Sequence, residues 1–288
     1  MNKYKRSIFC IICFFTALGI SAKTHYTNSD SVFVEKILVE SMKPANRGNL
    51  QLFFAKKFLG KPYVAHTLEK FDKEYLIVNT RELDCTTLID NVIALTLCAY
   101  YGQYKFKDYT DMLERVRYRH GRNKGYTSRL HYFSDWILDK TAMGLVKEIQ
   151  SPTKLFRGVQ QLHVDYMSKH ISAYKALRKH PEYVPIIKRQ EQALNGRTFR
   201  YIPKSMILNT SLMRTAVKDG DIIAIVSNKS GLDIAHLGIA IWRTDGLHMI
   251  NASQIHHKVV EEQMLLYNYL KKHPSHIGIR VVRIITNK

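Results

Sequence analysis

Cys85 is the residue of this chain best placed by type and position to act as a nucleophile. It lies in Leu83–Tyr100, LDCTTLIDNVIALTLCAY, where Asp84 is a helix N-cap type and Leu88, Ile89, Val92, Ile93, Leu95 and Leu97 follow with almost no charge. That pattern predicts a helix buried on most of its circumference, with Cys85 in its first turn. Unpaired backbone N–H groups and the positive end of the helix dipole meet a thiol there, and both favour thiolate. A cysteine nucleophile also needs a base and a group that orients the base. Among 13 histidines, His236 stands out because it begins an otherwise apolar strand, AHLGIAIW, after Gly231-Leu232-Asp233. Asn251 falls on the next predicted strand, LHMINAS, where its amide oxygen can accept an imidazole N–H. A two-residue turn at Asp245-Gly246 leaves the two about four positions out of register, roughly 13 Å, whereas a longer or bulged connection brings them together. Spacing alone leaves both open.

The elements that must carry these residues follow from pattern and punctuation. Ser31 to Met42 is an amphipathic segment, and Leu50 to Leu59 a helix stopped by Gly60-Lys61-Pro62. Glu74 to Asn79 reads as a short strand, Asp108 to Arg119 as a helix, and 121–136 as a loop entering a helix near Ser134. Residues 153 to 195 read as two helices broken near His180-Pro181. After Lys218 come strands at Ile222–Val226, Ala235–Trp242, Leu247–Ala252 and Gly278–Ile285, with a helix over Glu261–Lys272. Helices first and antiparallel strands later define an α+β class, without internal repeat or linker.

The first 22 residues read differently. Lys3, Lys5 and Arg6 precede an apolar run, Ile8 to Ile20, too short to span a bilayer comfortably, and Ile20-Ser21-Ala22 offers a cleavage point. This is the signature of a secretory signal peptide and implies an exported, periplasmic or secreted protein with no stable membrane insertion after cleavage. Cys10 and Cys13 lack a lipobox. Of the remaining cysteines, Cys85 and Cys98 sit thirteen apart on one predicted helix and cannot bridge. An unpaired thiol in an oxidising compartment points to reactivity. The formal net charge of +20 calls for an anionic partner or surface. Aromatic and basic residues interleave at 115–126, yet no nucleic-acid recognition motif accompanies them, so no nucleic-acid partner is expected. His163, His256 and His257 lack the spacing of a zinc site, so neither metal nor cofactor is expected.

The segments GKPYVAHTLE (60–69), LDCTTLID (83–90), RYRHGRNKGYTSRLHYFSDWI (117–137), GDIIAIVSNKSGLDIAHLGIAIW (220–242) and LHMINASQ (247–254) occur in this order. Together they resemble the DUF1460 family, a branch of the NlpC/P60 papain-like cysteine hydrolases also called N-acetylmuramoyl-L-alanine amidase-like. The resemblance implies a papain-like fold, its nucleophile helix packed on an antiparallel sheet, with helical insertions. It divides the chain into a signal peptide (1–22), an N-terminal extension (23–49) and an amidase domain (50–288). It implies Cys85 as nucleophile, His236 as base and Asn251 as orienter, where the family usually has histidine in a His-Ala-Ser motif. Tyr63 matches the tyrosine that lines the site near the oxyanion. Between Cys85 and His236, insertions are expected to narrow the cleft. There Arg129, His131 and Tyr132 are placed to bind a carboxylate and stack on sugar or peptide, and Asp233 to bind substrate or cap a turn. The expected reaction is hydrolysis of the amide between N-acetylmuramic acid and L-alanine, in peptidoglycan or muropeptide fragments, through a thioester. The alternatives are a D-γ-glutamyl-diamino acid endopeptidase and a basic wall-binding protein without catalysis.

Overall fold

The computed structural model describes residues 24–286, so the leader expected at 1–22 lies outside the described residues. In chain order the first half contains β1 (Thr24–His25), α1 (Asn28–Ser41), α2 (Leu50–Lys57), β2 (Leu76–Ile77), α3 (Cys85–Tyr100), α4 (Phe106–Arg117) and α5 (Phe133–Ala142). Then follow β3 (Val146–Ile149), β4 (Gly158–Gln161), α6 (Tyr166–Lys169), α7 (Lys175–Lys179), α8 (Val184–Leu194), β5 (Thr198–Pro203) and α9 (Ser211–Ala216). The chain closes with β6 (Ile222–Ser227), β7 (Ile234–Trp242), β8 (Leu247–Ser253), β9 (Lys258–Glu261), α10 (Leu266–Lys271) and β10 (His276–Ile284).

An antiparallel sheet organises these elements in the order β4-β5-β10-β6-β7-β8-β9, with β3 pairing the far half of β10. Strand β6, IIAIVS, is buried at every position because helices cover both faces of the sheet. Ile222 and Ala224 face the core beneath α3, whereas Ile223 and Ile225 face a second core beneath α9 and α10. A third, smaller core lies within the insertion, where Leu162, Met167, Leu177, Ile187 and Leu194 gather.

Helix α3 is the most enclosed element: every residue from Thr87 to Cys98 is buried. Its polar groups are matched inside. The Asp90 carboxylate accepts from Arg117 Nε at 2.8 Å, Arg117 Nη1 donates to Ile77 O, and Tyr109 donates its hydroxyl to Asn91. The segment expected as an N-terminal extension joins the same core through Val34, Ile37 and Leu38 of α1. Two expectations differ from the structure. Residues 153–195 form a strand and three short helices instead of two longer ones, because β4 extends the sheet by pairing β5. The helix expected from Glu261 begins only at Leu266, because 258–261 are drawn into the sheet as β9 against β8.

The buried Asp90–Arg117 pair yields a prediction. Replacing Arg117 by Ala leaves a carboxylate uncompensated beneath α3 and should cost about 3–5 kcal/mol in urea denaturation. The double variant Asp90→Leu/Arg117→Met should recover most of that loss. A single variant as stable as the parent would remove the pair from the list of interactions that hold α3.

Candidate active site

Cys85 opens α3 directly after the N-cap. Asp84 Oδ1 accepts from the Thr87 N–H at 2.8 Å, and Thr87 Oγ1 accepts from the Asp84 N–H at 2.9 Å, closing a reciprocal cap. The chain before it is pinned to the segment that carries Tyr63. Val64 N donates to Leu83 O at 3.0 Å, Leu83 N donates to Pro62 O at 3.0 Å, and Tyr63 N donates to His257 O at 3.0 Å. Burial raises the Tyr63 hydroxyl pKa, with the nearby Cys85 and Asp84 acting in the same direction. Tyr63 therefore flanks α3 at its start.

His236 and Asn251 meet through two local devices. The connection from Trp242 to Leu247 has four residues, closed by Arg243 N donating to Gly246 O at 2.8 Å. The register Trp242↔Leu247 and Ile239↔Ile250, extended, sets Asn251 opposite Gly238, two residues from His236. A Cβ at Gly238 would meet Met249 Sδ at 3.0 Å and Ile250 O at 3.2 Å, so glycine suits the crossing. On the other side, β6 pairs Ile225 with His236 but Val226 with Ile234, which makes Ala235 a bulge that re-aims the strand end. The result is a 3.0 Å hydrogen bond between His236 Nε2 and Asn251 Oδ1. An amide oxygen only accepts, so the imidazole carries its proton on Nε2 and presents Nδ1 as a base.

Cys85 and His236 line one cavity of about 220 Å³, together with Tyr132, Met167, Tyr174 and Asp233. A second cavity of about 180 Å³, lined by Asp84, Glu69, Arg117, Arg129 and Trp136, shares Thr86, His131 and Phe133 with the first. The two are lobes of one cleft. Arg129 is buried in its wall, facing Glu69 at 3.4 Å and Glu74 at 3.7 Å, over the ring of Tyr126. His131 packs on Tyr126, with Nε2 3.1 Å from Tyr126 O, and burial beside Arg129 pushes its pKa down to about 3. Tyr132 donates to Glu191 Oε1 at 2.7 Å and accepts from Met167 N at 3.0 Å, so its hydroxyl ties α5 to the insertion. Asp233 Oδ2 accepts from Ser134 N at 2.7 Å, capping the start of α5, while its backbone oxygen accepts from Gln160. Met167, Tyr174, Thr86 and Phe133 complete the cleft and were not singled out from sequence. Met167 comes from the one-turn helix α6 and Tyr174 from the extended residue before α7, and nothing in the sequence ties them to Cys85.

The electrostatics depart from the thiolate expected at a helix start. Burial, reinforced by the Asp84 carboxylate, pushes the Cys85 thiol up to about 12. The N–H groups of Leu237 and Thr86 pull the other way and are outweighed. Burial also lowers the pKa of His236, against the hydrogen bond it donates to Asn251 Oδ1. Both shifts favour the neutral forms, thiol and imidazole. Among the described residues no group of three or more His, Cys, Asp or Glu is placed to hold a metal ion. No helix among them is long and apolar enough to cross a membrane.

Fold and site together define a mixed α/β, amidase-like hydrolase with a cleft at the start of a buried helix. The chain belongs to the N-acetylmuramoyl-L-alanine amidase-like family, whose model matches residues 53–279. It is similar to the crystal structure of an N-acetylmuramoyl-L-alanine amidase from Bacteroides uniformis, at 39% identity and a TM-score of 0.77, covering 82% of this chain and 97% of that one. A Bacteroides fragilis protein described as a candidate xylanase aligns at 40% identity and a TM-score of 0.74, covering 80% and 99%. A Legionella pneumophila protein of the DUF1460 family, at 19% identity and a TM-score of 0.67 over 89% and 94%, shares the fold. None of the curated proteins compared matches the chain.

A neutral resting pair sets the pH behaviour. Alkylation of Cys85 by iodoacetamide at pH 7–8 should be slower than that of an unburied thiol of pKa about 8.5. The depressed His236 pKa should put the acidic limb of kcat/KM below about 6.5. Alkylation faster than the free thiol, or an acidic limb above pH 7, would show an ion pair instead.

Proposed function

We propose that this protein is an exported cysteine amidase that hydrolyses the bond between N-acetylmuramic acid and L-alanine in peptidoglycan or its muropeptide fragments. The observation that carries this reading is the His236 Nε2–Asn251 Oδ1 bond. It leaves Nδ1 free in the cavity where Cys85 opens a buried helix. Family membership supports the substrate class. The papain-like NlpC/P60 relationship is part of the same proposal, as is export, which rests on the leader sequence.

In this mechanism His236 Nδ1 takes the Cys85 thiol proton as Sγ attacks the lactyl carbonyl carbon. The backbone N–H of Cys85 and the Tyr63 hydroxyl hold the oxyanion. The tetrahedral intermediate then expels the L-alanine nitrogen, which takes the proton from Nδ1 and leaves as an amine. Water, deprotonated by His236, attacks the thioester, releasing the muramoyl carboxylate and returning the proton to Sγ. Asn251 holds the imidazole throughout and does not titrate. Arg129 and His131 form the cleft wall against the substrate, and Tyr132 and Asp233 fix that wall in place.

An endopeptidase of the D-γ-glutamyl type would need a free carboxylate for the L-alanine amine. Here Asp90 is paired with Arg117 and Glu69 faces Arg129, while Asp84 caps the helix through Oδ1 and lines the cleft without an ion partner. Family membership favours the amidase.

Mass spectrometry of products from a defined disaccharide-peptide decides among the readings. Free peptide beginning at L-alanine, seen with wild type and absent with Cys85→Ala, is the expected result. A cut after D-glutamate would establish the endopeptidase, and retention of substrate without any cleavage would leave a binding protein. Asn251→Leu removes the orienting oxygen and should lower kcat about a hundredfold with KM little changed. An unaltered kcat would mean that β7 alone fixes the imidazole.

A further inference from the structure

The cleft has two lobes, and the chemistry of the proposed reaction says which part of the substrate each must take. The leaving amine collects its proton from His236, so the departing peptide lies on the His236 side of Cys85. The acyl part, which carries the sugar, then extends to the opposite side. That side is the lobe lined by Asp84, Thr86, Arg129, Phe133 and Trp136. Resting on the amidase reading, we propose that this lobe is the subsite for the N-acetylated muramoyl ring, with Phe133 as its platform.

Three features of the lobe fit a neutral, hydroxyl-rich ring. The rings of Phe133 and Trp136 are stacked, 4.8 Å between centroids and 7° from parallel. Trp136 is buried and tied by Nε1 to Val116 O at 2.9 Å, so Phe133 is the half-buried outer face, held flat from behind. Sugar C–H groups pack on such a face. The lobe's arginines are also paired, Arg117 with Asp90 and Arg129 with Glu69, which leaves neither as a bare cation for a carboxylate ligand, while the Asp84 carboxylate adds an acceptor for hydroxyl groups. Finally, Arg129 meets its carboxylates only at 3.4 and 3.7 Å, so its guanidinium is loosely held and able to share donors with sugar hydroxyls. The opposite lobe has a different character. Met167, Tyr174 and Leu232 form an apolar wall suited to peptide.

The test compares two amides of the same peptide, one with N-acetylmuramic acid and one with D-lactate alone, which lacks the ring. Phe133→Leu keeps an apolar side chain under the cleft and removes the flat face. It should lower kcat/KM on the muramoyl-peptide about tenfold, through KM, with a much smaller change on the lactyl-peptide. Tyr174→Ala should weaken both substrates alike, because both carry the same peptide. Equal losses on the two substrates for Phe133→Leu would make Phe133 a packing residue and overturn the assignment. Loss of the sugar preference in Tyr174→Ala would reverse the two lobes. Should wild type cleave neither amide, the amidase reading fails, and calorimetric titration of Cys85→Ala with N-acetylmuramic acid still decides the subsite. Sugar binding weakened about tenfold by adding Phe133→Leu supports it. Absence of sugar binding, or binding indifferent to Phe133, overturns it.

Discussion

The burial of α3 sets the terms on which the site operates. A helix enclosed from Thr87 to Cys98 fixes its first residue rigidly, and it also leaves that residue only half open to water. A helix N-terminus favours an anion by ~0.3–2 kcal/mol. The rise of the Cys85 thiol to about 12 opposes the thiolate by on the order of 4 kcal/mol. Desolvation therefore wins, with the Asp84 carboxylate that caps the helix adding to it. The same burial lowers His236, so the imidazole is an unprotonated acceptor at neutral pH. Both shifts disfavour a resting thiolate–imidazolium pair and favour a neutral thiol beside a neutral imidazole.

That arrangement places heavy demands on the orientation of the base. Desolvated donors and acceptors gain from correct geometry and lose from small errors. The sheet meets the demand with three modest irregularities: a four-residue connection after Trp242, a bulge at Ala235 and a glycine at 238. Each is local, yet together they turn two residues on neighbouring strands into a hydrogen-bonded pair. The capping of α5 by Asp233 acts in the same sense, because Asp233 lies three residues before His236 and is clamped by Ser134 and Gln160. The strand that carries the imidazole is thus tied to the helix that forms the cleft wall.

What was legible in the sequence follows from the range of the interactions concerned. The apolar run of α3 and the strands β6, β7, β8 and β10 are written in local pattern and emerge with boundaries shifted by a residue or two. The pairing of His236 with Asn251 was left open because it depends on loop length and a bulge, neither of which periodicity reports. The 153–195 region was misjudged for the opposite reason. Its strand β4 exists to extend an edge built from β5, and its helices are short segments held by a separate small core. The opposing influence on the Cys85 thiol was not legible either, since a cap and a dipole are visible in sequence and desolvation is not. Tyr132 shows the same limit: an aromatic residue near the cleft was legible, but its bond to Glu191, fifty-nine residues on, was not.

The large positive charge belongs to a different part of the molecule from the chemistry. In and around the cleft the arginines are balanced: Arg117 by Asp90, Arg129 by Glu69 and Glu74, Arg119 by Asp135. The surplus lies outside, for example on Lys188, Arg189 and Arg197 of the insertion, which are exposed. Surface charge is screened over about 8 Å at physiological salt, so it has little purchase on a buried thiol. Charge of that kind acts on encounter with anionic surfaces and polymers. The cleft offers shape, aromatic surface and hydrogen-bonding groups, with its arginines already paired. The surplus charge and the cleft are therefore physically separate features of one chain, the first on its exterior and the second at the start of its most buried helix.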